Sequence, residues 1–189
     1  MEQRAVMAEP IIDERVIKAC QQGDREAFRL LFETYKDRVF SIAAYSFGGD
    51  EIAASDVSQQ IFLKLMTTIG QFRGDSAFTT WLYRLVVNAC SDEQRKRRRF
   101  LPFGEWTPMN KIEDRRPQEK HYAKLEVADS VQAAIKQLSP NLRMPNLLKY
   151  VEGLSYEEIA VTLGISIGTV KSRIARGREE LRRRVKDLL

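Results

Sequence analysis

Apolar residues along this chain recur every three to four positions, the spacing that lines one face of an α-helix. Val16, Ile17 and Cys20 mark a short first helix, which Gly23 ends. Asp24 stands where its carboxylate can cap the next helix, whose apolar face is Phe28, Leu31, Phe32, Tyr35, Val39, Ile42 and Ala43. Gly48-Gly49 breaks that helix. Val57, Ile61, Leu65 and Ile69, at intervals of four, give a third helix that stops near Gly70. The loop Phe72-Arg73-Gly74-Asp75-Ser76 leads into a fourth, which carries Phe78, Trp81, Leu82, Leu85, Val86 and Ala89 and runs out into Arg95-Lys96-Arg97-Arg98-Arg99. No segment shows the clean alternation of a half-buried strand, so the expected fold class is all-α.

Between residues 100 and 127 the periodicity lapses. Pro102, Pro108 and Pro117 lie there, half of the 6 prolines in the chain, and proline removes a backbone donor and blocks helix continuation. This segment reads as a flexible linker between two small helical domains, 13–99 and 128–189. Its aromatics, Phe100, Phe103 and Trp106, suggest that it packs on a surface. The second domain opens with Val131, Ile135 and Leu138. Ser139-Pro140 then reads as N-cap and first helical residue. Leu147, Leu148 and Val151 follow, and Gly153 closes the helix. Pro145 falls within this pattern and predicts either a later helix start or a kink.

The last segment is the most specific. Ser155 can accept from the amide of Glu158 while Glu158 reaches back to the amide of Ser155, a capping box. Leu154 and Ile159 sit where a hydrophobic staple would. Ile159, Ala160 and Leu163 face inward, and the small Ala160 lets a second helix approach. Gly164 supplies a left-handed turn residue, Ile165 anchors the turn, and Ser166 caps a helix whose inner face is Val170 and Ile174. This is helix-turn-helix spacing. The outer face of the second helix reads as Thr169, Lys171, Ser172, Arg173, Arg176 and Arg178, groups that can reach base edges and phosphates.

Charge sharpens the picture. The formal net charge is only +5, but it is unevenly spread. Residues 78–99 hold six basic and two acidic side chains, residues 166–189 eight and three, and the linker five of each. Two separated basic segments suggest two polyanion contacts. Cys20 and Cys90 stand far apart with no CxxC pattern and read as buried free thiols. His121, the single histidine, lies in the linker. No metal site or other cofactor is expected. The chain has no apolar run long enough to cross a membrane, and residues 1–10 lack a secretory pattern, so a cytoplasmic location is expected.

The two domains together resemble a known family. Residues 153–178, GLSYEEIAVTLGISIGTVKSRIARGR, resemble region 4 of bacterial RNA polymerase sigma factors, most of all the extracytoplasmic-function (ECF) group. Asp56-Val57-Ser58-Gln59-Gln60-Ile61-Phe62 resembles region 2.2. Phe78-Thr79-Thr80-Trp81-Leu82-Tyr83-Arg84, then Asn88, Asp92 and the basic run, resembles regions 2.3 and 2.4.

The resemblance implies three contacts. Asp56, Gln59, Gln60 and Lys64 would dock on the clamp helices of the largest subunit of core RNA polymerase, while region 4 meets the flap of the second-largest. The loop residues Phe72, Arg73, Asp75 and Ser76, with Asn88, would form a pocket for a flipped base of the −10 element; Arg84, Arg95, Arg97 and Arg98 would hold strand phosphates. Thr169, Lys171, Ser172, Arg173, Arg176 and Arg178 would grip the −35 element, with Lys171, Ser172 and Arg176 nearest the bases. Position 175 is often larger in relatives and is Ala175 here. An anti-sigma factor is a further expected partner, with promoter DNA the substrate surface and no membrane insertion. On this reading the protein has no catalysis of its own. Two other readings stand beside it: a free-standing helix-turn-helix regulator, and an enzyme on nucleic acid, for which no clustered carboxylates or metal motif is found.

Overall fold

The computed structural model describes residues 12–100, 134, 135 and 137–186. The linker, His121 and Val131 lie outside them. Among the described residues every regular element is helical: α1 (Glu14–Gln21), α2 (Arg25–Ser46), α3 (Glu51–Thr68) with a short 3-10 turn (Ile69–Gln71), α4 (Phe78–Phe100), α5 (Pro140–Tyr150), α6 (Tyr156–Leu163) and α7 (Ile167–Lys186).

Aspartates start the first three helices. Asp13 accepts from the amide of Arg15. Asp24 accepts from the amides of Glu26 and Ala27, at 2.8 and 3.0 Å. Asp50 accepts from the amide of Ala53 at 3.0 Å. Each carboxylate satisfies a donor that the first helical turn leaves unpaired and faces the positive end of the helix dipole. Asp24 is the cap that the sequence predicts; Asp50 caps α3 directly after the Gly48-Gly49 break.

The first domain packs α2 against α3 and α4, with α1 laid on α2. Leu31, Val39, Ile42, Ile61, Leu65, Leu82 and Val86 are fully buried at their mutual contact. Each stabilises the domain by about 1.5–3 kcal/mol relative to an exposed side chain. These are the inward positions that the four-residue spacing marked.

In the second domain α5 and α6 both pack on α7, burying Leu147, Leu148, Ile159, Val170 and Ile174. Helix α5 starts at Pro140 and continues through Pro145, which is buried. The later start is therefore excluded. Ser139 holds the N-cap position, but its hydroxyl makes no capping bond. The two domains do not stand apart. Helix α4 packs on α6 and α2 on α5, so one buried apolar cluster runs through both.

Gly177 shows how tightly α7 sits on α5. It is buried in mid-helix, where alanine would ordinarily be preferred by about 1 kcal/mol. A Cβ there would overlap Asn146 Nδ2 and lie 2.8 Å from Asn146 Cγ. Asn146 is only 2% exposed and donates to the carbonyl of Leu142 at 2.7 Å, so it cannot swing away. Gly177→Ala should therefore destabilise the protein by about 1–3 kcal/mol. Urea unfolding read by circular dichroism checks this, and a stabilised variant would refute the close approach.

Candidate nucleic-acid interface

The helix-turn-helix is built from local bonds. Glu158 N donates to Ser155 Oγ at 3.1 Å, and Ser155 N donates to Glu158 Oε2 at 2.8 Å. Gly164 adopts φ 64°, ψ 37°, a left-handed conformation that costs a Cβ-bearing residue about 1–2 kcal/mol. Ile165 N closes the turn on the carbonyl of Ala160 at 3.1 Å. Thr169 N then donates to Ser166 Oγ at 3.2 Å and starts α7. Leu154 and Ile159 are both buried, as the staple requires.

With Val170 and Ile174 turned inward, α7 exposes Lys171, Ser172, Ala175, Arg176 and Arg178. The Lys171 ammonium lies 5.8 Å from the Tyr156 ring centre, and the Ser172 hydroxyl donates to the carbonyl of Thr169 at 3.0 Å. Thr169 is half-buried, its hydroxyl 2.8 Å from that of Ser166. Arg173 corrects the expected outer face. It is half-buried and lines a cavity between the domains. Position 173 is three residues from Val170 and four from Gly177, which places it on the inner flank of the helix.

A second surface lies between α3 and α4. Lys64, Thr68, Gln71, Trp81, Arg84, Leu85 and Asn88 line an open groove of about 220 Å³. Arg84 and Asn88, one helical turn apart on α4, are both exposed. Lys64, one turn after Gln60 on α3, is exposed and also borders this groove. Position 64 is turned toward Thr68 and α4, whereas Asp56, Gln59 and Gln60 are exposed beside Ile52 and Leu63. Gln71 and Trp81 were not among the expected site residues. Only the tertiary approach of α3 to α4 reveals them.

The loop before α4 is anchored from behind. Gln21 Nε2 donates to the carbonyls of Ile69 and Phe72, at 3.1 and 2.9 Å. The Phe72 ring is committed to packing, 5.4 Å from Phe78 and 5.6 Å from Trp81 between centres. It acts as a wedge under the loop, while Arg73 and Asp75 are exposed and Ser76 half-buried.

The basic run is not uniform. Arg95 pairs with Asp92 at 2.7 Å on an exposed turn, where such pairs contribute little. Arg97 is tied down more firmly. It bonds Asp50 at 2.8 Å and Glu93 at 3.2 Å and lies over the Phe47 ring at 5.3 Å. It therefore clips α4 to the start of α3, a structural duty that the charge count did not show. The side chain of Arg98 lies outside the described residues; Arg99 is exposed.

Ile52, Leu63 and Met66 are large apolar residues of α3 at 78%, 65% and 56% exposure. With Asp56 and Gln59 they form one stripe along its outer face, a mixed surface suited to another helix. The two thiols are buried and free. Burial pushes Cys90 up to about 11, and burial followed by the charge of Asp24 raises Cys20. Neither is a ready nucleophile. Among the described residues no three His, Cys, Asp or Glu side chains cluster as for a metal, and no helix is long and apolar enough to cross a membrane.

The Asp50 carboxyl is held below its ordinary 3.8 by the Ala53 amide and then by Arg97. A depressed folded-state value contributes stability that is present above the ordinary value and lost as pH falls through the folded one. Asp50→Ala should cost about 1 kcal/mol at pH 7. The gap from wild type should narrow once the pH drops below 3.8, which melting curves across pH 2.5 to 7 would show; a pH-independent gap would contradict the charge's role.

Comparison with known proteins places both surfaces in context. Residues 31–100 match the family model for sigma-70 region 2, and residues 128–181 that for sigma-70, region 4. The chain is 35% identical over 185 residues to RNA polymerase sigma-H factor of Pseudomonas aeruginosa, covering 94% of this chain and 95% of that one. It is 34% identical over 192 residues to ECF RNA polymerase sigma-E factor of Escherichia coli strain K12, covering 97% and 99%. Among solved structures it is similar to CnrH in complex with the cytosolic domain of CnrY, with TM-score 0.66, 26% identity and coverage of 93% of this chain and 98% of that one. It is also similar to the sigma factor RpoE in complex with the anti-sigma factor NepR from Bartonella quintana, with TM-score 0.68, 26% identity and coverage of 84% and 96%.

Proposed function

The chain belongs to the ECF group of RNA polymerase sigma factors and serves promoter-directed transcription initiation, and from that premise we propose how its surfaces divide the task. The exposed stripe Asp56, Gln59, Gln60 and Leu63 on α3 docks on core polymerase. The groove between α3 and α4 takes a base of the melted −10 strand, with Asn88 as hydrogen-bonding partner, Trp81 as an apolar wall, and Lys64 and Arg84 holding the flanking phosphates. Lys171, Ser172 and Arg176 read the −35 duplex, and Arg178 takes a phosphate. Arg73, Asp75 and Ser76 border the groove from the loop. The protein makes and breaks no covalent bond, and it works where the polymerase does, in the cytoplasm.

The observation that carries this reading is the pairing of two dissimilar surfaces on one chain. An exposed helix of a helix-turn-helix fits the major groove. An open cleft fits an unstacked base. Flipping a base costs a few kcal/mol, and stacking recovers roughly 1–3 kcal/mol per base, so cationic side chains at the rim are needed to close the difference. The anti-sigma factor NepR, in complex with the similar sigma factor RpoE, supports a partner of the same kind for this chain, covering the α3 stripe.

Run-off transcription with purified core polymerase tests the whole. The chain should bind core and direct initiation from a cognate promoter; failure of both would reject it. Within that assay Arg176→Ala should weaken promoter binding by about 1–3 kcal/mol and relax preference at one position of the −35 element. An unchanged preference would remove Arg176 from the reading set.

Lys64 borders the groove and would serve it, while its neighbours on α3 serve the polymerase contact. Gln59→Ala with Leu63→Ala should reduce affinity for core, measured by fluorescence anisotropy. Lys64→Ala should instead leave core affinity near wild type and weaken binding of holoenzyme to a −10 single strand, with a shallower salt dependence. The reverse pattern would return Lys64 to the polymerase surface.

A further inference from the structure

The groove between α3 and α4 holds two side-chain amides, those of Asn88 and Gln71. Both residues are exposed, and neither amide bonds to another described residue. A primary amide offers donors and an acceptor side by side, the arrangement that pairs with the edge of a base. The two differ in footing. Asn88 stands in the middle of α4, whereas Gln71 belongs to the short 3-10 turn after α3, which leads into an exposed loop. A side chain on such a turn discriminates between bases only as well as the turn itself is held.

That turn is held from α1. A helix end leaves carbonyls without helical partners, and here two of them are answered by one side chain. The Ile69 carbonyl accepts from the Phe72 amide at 3.1 Å and from Gln21 Nε2 at 3.1 Å. The Phe72 carbonyl accepts from the same Nε2 at 2.9 Å. The two hydrogens of one amide thus bracket position 71 from either side. Gln21 does not line the groove. It is the last residue of α1 and follows Cys20, which with Ile17 is buried in the core of the first domain. The bracket is therefore tied to the core and not to another loop. Beyond it the Phe72 ring packs on Phe78 and on Trp81, and Trp81 lines the groove. Gln71 is thereby set against that wall before any strand arrives, so binding carries no cost of ordering the turn.

We propose that Gln71 is a second base-reading residue of the groove, and that Gln21 is its positioning residue, acting through the Ile69 and Phe72 carbonyls. The reading role rests on the assignment of the groove to a base of the melted −10 strand; the bracket does not. The chemistry of the bracket is restrictive. A carboxylate has acceptors only, so the isosteric Gln21→Glu sets oxygens against both carbonyls, whereas the ammonium of Gln21→Lys keeps the donors.

Fluorescence anisotropy of holoenzyme tests the proposal, with labelled −10 single strands of the cognate promoter that carry each of the four bases in turn at every position. Wild type should favour one base at the position that enters the groove. Gln71→Ala should lower that preference about fivefold or more, at that position alone and with core affinity unchanged. Gln21→Glu should do the same and should speed amide exchange at Phe72, and Gln21→Lys should restore most of the preference. Because Gln21 acts through Gln71, the double variant should discriminate no worse than Gln71→Ala alone. Full preference in Gln71→Ala would remove Gln71 from the reading set. Full preference in Gln21→Glu, losses that add in the double variant, or no restoration by Gln21→Lys would overturn the positioning role. Gln21→Ala, which removes the donors without adding charge, serves the same comparison if Gln21→Glu unfolds. A wild-type holoenzyme with no base preference at any −10 position would instead strike the base-pocket reading, and Phe72 amide exchange in the free protein would still decide the bracket.

Discussion

Everything in this molecule is organised around the three faces of one helix. An α-helix advances 100° per residue, so positions four apart share a face. On α4, Leu82 and Val86 point into the first domain and are fully buried. Arg84 and Asn88 border the groove with α3. Tyr83, Val87 and Cys90 turn toward the second domain, at 1%, 9% and 1% exposure. The core of the first domain fixes the helix, and through it both the base-sized cleft on one side and the interdomain seam on the other. A shift of α4 against α2 and α3 would be felt at both. The Arg97 clip to Asp50 at the far end of the helix resists such a shift.

What the sequence made legible was local. The capping box at Ser155, the left-handed Gly164 and the Ser166 cap are all bonds between residues at most four apart, so their signatures survive in a linear reading. The same holds for the four-residue rhythm of α2 and α3. What escaped were relations set by packing. Lys64 and Asn88 are 24 positions apart and meet only because α3 and α4 cross. Arg173 was misplaced because a basic residue beside Arg176 was grouped by charge, although its register puts it on the flank shared with Val170 and Gly177. Phe72 was counted with its loop, while its ring belongs to the aromatic cluster beneath.

One signal of the domain contact was present and unread. Phe78, Leu82, Leu85, Val86 and Ala89 already supply a full apolar face for a helix packed on one side. Tyr83, Val87 and Cys90 add a second one. A helix that is apolar over so much of its circumference is buried from more than one direction. In a domain of four helices, the extra face of α4 needs a partner from outside. On α3, by contrast, the outer stripe keeps Ile52, Leu63 and Met66 in solvent.

These two surplus apolar faces differ in a way that bears on control. The face on α4 is covered within the chain, whereas the stripe on α3 stays exposed. Basic residues gathered on two surfaces draw a protein to any DNA through counterion release, so charge by itself selects no sequence. Packing α6 on α4 and α5 on α2 gives the two basic surfaces one relative placement. Their affinities then multiply only when the domains are held at promoter spacing. Selectivity therefore rests on how the two surfaces are placed as much as on the side chains that either presents.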